Sequence, residues 1–138
     1  MDSQLLKISL LITRVLTVWM MSIWALMRIF SSERAVGIAS KYYGDTVTSL
    51  GNPFQLGLGV VLMVFYLLAL IGFKKKVTYF VLFLAHLVGT LFVFTYSVPF
   101  FENFRPTWFT SWPALMAMFL LWVLRKEDTL LSLKGKWA

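Results

Sequence analysis

The sequence has no cysteine, only six acidic residues and a single histidine among its 138 residues. The missing cysteines exclude thiol–disulfide exchange, cysteine-ligated zinc and iron–sulfur clusters on this chain. One histidine cannot by itself build a multi-ligand metal site or a bis-histidine haem. The carboxylates Asp2, Glu33, Asp45, Glu102, Glu127 and Asp128 all fall outside the long apolar runs, so no pair of acids is placed for hydrolysis. A glycine-rich phosphate loop followed by lysine is also absent. Gly57 and Gly59, in "FQLGLGVV", lie inside an apolar run, where helix packing explains them better than phosphate binding. No autonomous active site is expected.

What the chain has in abundance is apolar surface. Hydrophobic residues make up 59% of it and the mean hydropathy is +0.79, far above a soluble domain. A net charge of +7 then reads as a topology signal rather than a nucleic-acid footprint. A bilayer core of about 30 Å takes about 20 helical residues, and four runs fit: about 8–30, 53–73, 77–98 and 107–124. Asn52 can cap the second helix, with Pro53 in its first position, and Pro113 should kink the fourth. The fold class is therefore all-α: one membrane domain over 1–138, an integral membrane four-helix bundle.

Lys7, Lys74, Lys75, Lys76, Arg125, Lys126, Lys134 and Lys136 share one side, against Arg34, Lys41 and Arg105, with Arg28 at a helix end, on the other. By the positive-inside rule both termini lie in the cytoplasm. The triple lysine between spans two and three would then sit near anionic lipid headgroups. Between spans one and two, "SSERAVGIASKYYG" has Ser32 as a cap, Glu33 in the first turn and apolar Ala35, Ile38, Ala39 and Tyr42, with Gly44 as a stop. It reads as a short extracytoplasmic helix on the membrane interface. The aromatic segment "SVPFFENFRPTWFTSWP" suits the same headgroup boundary. Arg28, Glu33, Arg34, Glu102, Arg105 and Trp108 are the docking candidates for a partner protein, since charge and large rings together can anchor an interface.

Ionisable groups inside hydrocarbon are functional candidates, and this chain offers Arg14 and His86. Arg14 lies near the cytoplasmic end of span one, from which its side chain can snorkel to water. His86 lies roughly 13 Å into span three and needs a hydrogen-bond partner. Helical spacing puts Tyr79, Thr90 and Ser97 on its face, and Ala85 with Gly89 forms a small-xxx-small pair for close helix approach. Arg14, Tyr66, Tyr79, His86 and Thr90 are the binding candidates for quinone, lipid or a proton. A neutral packing histidine and a ligand-contacting or proton-carrying one both remain open.

The motifs "RVLTVWMMSIWALMR", with Arg14 and Arg28 near the ends of span one, and "LGLGVVLMVFYLLALIGFKKK", with glycines at both ends and a basic turn, resemble the DoxX-like family of small membrane proteins. Span one here has no glycine, Arg28 stands where the family has a lysine, and span four carries "SWP". The resemblance implies a four-helix subunit of the bacterial inner membrane, associated in some relatives with quinone-linked sulfur oxidation or membrane-attached redox proteins. The expected function is thus a non-catalytic anchor or accessory subunit of a redox or respiratory assembly, contacting quinone, lipids, a partner protein or a second copy. A small transporter or channel with a path at His86, and a lipid-binding structural protein, are the alternatives. Drug–proton antiporters of four short helices use a glutamate in the first helix, which this chain lacks.

Overall fold

The computed structural model describes residues 3–43, 51–96 and 106–133. These form five helices: α1 (Ser3–Phe30), α2 (Ser32–Tyr43), α3 (Gly51–Leu70), α4 (Lys75–Tyr96) and α5 (Pro106–Val123). No strand occurs among the described residues. Three helices, α1, α3 and α4, are long and apolar enough to cross a membrane. Within α5 the described residues Phe109–Val123 form a shorter apolar stretch, which the charged turn Arg125–Lys126 follows.

The junctions follow from local chemistry. Ser31 alone separates α1 from α2, its N–H closing α1 on Met27 O at 2.8 Å and its carbonyl accepting from Ala35 N at 3.1 Å. Ser31, rather than the expected Ser32, therefore stands just outside the new helix. Glu33 in the first turn and Lys41 in the last complement the α2 dipole. Ala35 and Ala39, one turn apart and both buried, let α2 sit close against its neighbours α1, α3 and α4. Gly51, at φ +66°, opens α3, and Pro53 falls in the first turn, where its missing N–H costs nothing. The α4 helix begins at Lys75, two residues before the expected Val77, so two lysines of the basic run are helical. Helix α5 runs through Pro113, which withholds a donor from the carbonyl of Phe109.

Leu10, Val18, Met21 and Ala25 of α1 pack with Tyr66 and Ala69 of α3, Tyr79 and Leu82 of α4, and Met118 and Leu121 of α5. The opposite faces are apolar too, with Ile12, Leu16, Trp19, Val61, Leu84 and Leu120 exposed. That pattern, apolar inside and outside, is the one lipid solvates and water does not.

Small residues decide how closely the helices approach, though not all those marked by the sequence. A Cβ on Gly59 would fall 2.8 Å from Arg28 Cβ and 3.0 Å from the Ala25 carbonyl, so α1 and α3 touch here. Gly57 and Gly89 have nothing within 4 Å. The expected Ala85/Gly89 packing pair is thus corrected: Gly89 opens space instead of closing it.

In the turn between α3 and α4, Gly72 has φ +70° and a Cβ there would meet Ser132 Cβ at 2.6 Å. Gly72→Ala therefore strains the backbone and pushes away the chain lying over it. A loss of about 1–3 kcal/mol is expected from the strained position alone, read as a lower melting temperature in mild detergent.

Candidate functional site

The binding candidates separate into two sites. At the end of the molecule formed by the α3–α4 turn, residues 124–133 leave α5 and fold back over the helices. Arg14, 1% exposed, does not snorkel. Its guanidinium is enclosed, with Nη1 3.0 Å from Asp128 Oδ2 and 3.4 Å from the Tyr79 hydroxyl, and Nη2 donating to the carbonyls of Leu130 at 2.7 Å and Leu131 at 3.1 Å. Tyr79 donates to the same Asp128 oxygen. Lys75, also buried, donates to the Asp128 carbonyl and to Ser132 Oγ at 3.0 Å. Leu133 N–H reaches the Ile71 carbonyl at 3.0 Å. A carboxylate outside every helix is thus 0% exposed, paired with the one cation inside the apolar part of α1.

The α3–α4 end is otherwise basic and aromatic. Trp122 Nε1 donates to the Lys76 carbonyl at 3.1 Å, and Arg125 lies 5.6 Å from the Trp122 ring centre. Lys74 likewise lies over Phe73.

The second site is a cavity of about 320 Å³ bounded by all five helices. Its wall is mainly apolar, with Met20, Met21, Trp24, Leu62, Ala85 and Val93 among its residues. Polar atoms come from Arg28, Tyr66, His86, Thr90, Thr110 and Ser111. His86 Nε2 lies 3.1 Å from the Ser111 carbonyl, two residues before Pro113 on α5. Thr90 Oγ1 donates to the His86 carbonyl at 2.8 Å, the usual back-bond of a helical threonine. Tyr66 is 1% exposed, and its hydroxyl has no hydrogen-bond partner among the described residues. Arg28 donates to Gln55 Oε1, a buried amide on α3. Val18, Ala69 and Leu82, all buried core residues, separate the cavity from the ionic cluster along α1, α3 and α4.

Of the candidates, Tyr66, His86 and Thr90 come together on the cavity, while Arg14 and Tyr79 belong to the ionic cluster. The single stripe drawn through Tyr79, His86 and Thr90 divides between them, and Ser97 lies outside the described residues. Among the docking candidates, Arg28 is taken into the cavity wall, whereas Glu33 and Arg34 line a shallow hollow with Phe30, Ser31 and Ser32. Glu102 and Arg105 lie outside the described residues, as does the Trp108 side chain, although its backbone belongs to α5. Sequence reasoning missed Asp128, Lys75, Gln55 and Ser132. Arg14 itself was a signal for Asp128, since a buried cation calls for a carboxylate, but six were available.

No protein-family model, curated protein or solved structure matches this chain.

Proposed function

We propose that the chain is an integral membrane protein of the DoxX-like type, a four-helix bundle in which α5 is the fourth span and α2 lies on the extracytoplasmic interface. It serves as a non-catalytic anchor or accessory subunit of a membrane redox or respiratory assembly and holds a quinone. The observation that carries the reading is the cavity: about 320 Å³, mainly apolar, with the His86 ring in its wall and the Tyr66 hydroxyl, which has no hydrogen-bond partner among the described residues. Ligand sites are commonly concave, mostly apolar and furnished with a few orienting polar groups. A quinone head needs a flat apolar slot and polar contacts at its oxygens.

Eighteen residues of α5 span roughly 27 Å at 1.5 Å each, close to the hydrocarbon thickness, which supports a fourth crossing. Lys74, Lys75, Lys76, Arg125 and Lys126 gather at the α3–α4 end, and this supports a cytoplasmic location for that end and for both termini. The bacterial inner membrane is part of the same reading. Glu33 and Arg34 on α2 are the accessible charged pair for a membrane-attached partner.

Purification of the full chain in mild detergent should bring down a stoichiometric partner protein and a solvent-extractable quinone, detected by mass spectrometry. A clean preparation holding phospholipid alone would sink this reading. The transporter alternative has less support, because packed core and the Arg14–Asp128 pair lie between the cavity and the α3–α4 end.

A further inference from the structure

The polar atoms of the cavity are unevenly divided between donors and acceptors. The Ser111 carbonyl can only accept, so the His86 Nε2 beside it carries the proton. Among the described residues the wall includes the Arg28 guanidinium and no carboxylate, so none of them favours a positive charge on the imidazole. In the neutral ring Nδ1 is then a lone pair, and it has no partner among the described residues. Thr90 has already given its only hydroxyl proton to the His86 carbonyl, which leaves its oxygen as an acceptor. These two groups lie one helical turn apart on α4, and both line the cavity. Neither has a proton to offer a ligand in the cavity.

We propose that the cavity binds a lipid-soluble molecule whose head carries a hydroxyl group, and that this hydroxyl donates to the acceptor pair His86 Nδ1 and Thr90 Oγ1. The apolar body lies among Met20, Met21, Leu62 and Val93, and the Tyr66 hydroxyl meets a second oxygen of the head. This rests on the reading of the cavity as a quinone-type site and sharpens it: the site is built for the hydroxyl-bearing, reduced form. A quinone carbonyl at the same position would set acceptor against acceptor.

The test uses the full chain in mild detergent under anaerobic conditions, with a short-chain hydroquinone and its quinone as probes. They are nearly the same shape and differ in whether their oxygens carry protons. The hydroquinone should bind about tenfold more tightly, the 1.4 kcal/mol that one buried hydrogen bond can supply. His86→Leu should remove most of that preference, and Thr90→Val should reduce it to about threefold or less. Thr90→Val alone decides if His86→Leu does not fold. Equal binding of the two probes, or tighter binding of the quinone, overturns the hydroxyl assignment and leaves a quinone-type site standing. A preference that survives both substitutions also overturns it. Binding of neither probe overturns the quinone-type reading together with this inference.

Discussion

Asp128→Ala is expected to cost about 3–5 kcal/mol of stability, because it leaves a guanidinium buried without its counter-ion. Arg14 is 1% exposed and its Nε has no partner among the described residues, so the side chain has no hydration to fall back on. The carbonyls of Leu130 and Leu131 and the Tyr79 hydroxyl still satisfy its hydrogen bonds, but they do not cancel its charge. The same change releases the Tyr79 hydroxyl donor and loosens residues 124–133, which keep the Arg14 bonds to the Leu130 and Leu131 carbonyls, the Lys75 bonds and one backbone bond to Ile71. Thermal unfolding in mild detergent, followed by tryptophan fluorescence, reads the loss directly. Arg14→Met should be similarly damaging, since it strands the carboxylate. The double variant Arg14→Met, Asp128→Leu should lose clearly less than the sum, because a buried pair replaced by apolar residues leaves no charge behind. An Asp128→Ala protein that melts with the parent would show that the pair does not hold this end together.

Gly59→Val is expected to destabilise by roughly 3–5 kcal/mol, from overpacking together with one lost buried hydrogen bond. The Cβ would stand 3.0 Å from the Ala25 carbonyl, a backbone atom that cannot turn aside, so α1 and α3 must separate. Separation draws Arg28 away from Gln55, whose amide is 1% exposed and would remain unsatisfied. It also opens the cavity wall at Ala25 and Arg28, so probe binding should weaken in the same variant. Gly57→Ala is the matched control two residues earlier. Nothing lies within 4 Å of its Cβ, and alanine favours the helix by about 0.5–1 kcal/mol. If both variants melt alike, the close crossing at Gly59 is not what joins α1 to α3.

The sequence by itself determined the kind of protein this is. Hydropathy and length mark α1, α3 and α4 as membrane-length helices, because lipid obliges a spanning segment to be apolar over a fixed distance and to satisfy its backbone internally. It also singled out Arg14 and His86, since an ionisable residue in an apolar run stands out without any knowledge of its neighbours. Tertiary structure decided what those residues do. Arg14 and Asp128 are 114 positions apart, and helical periodicity relates only residues a few turns from one another. That arithmetic relates Tyr79, His86 and Thr90 along one helix, but it could not tell that Tyr79 would meet Asp128 while His86 would meet the Ser111 carbonyl. Likewise, "small" is legible at Gly57, Gly59 and Gly89, yet only Gly59 has another helix pressed against it. A glycine permits close approach without specifying it, and whether it closes a contact or opens a cavity is settled by where the other helices lie.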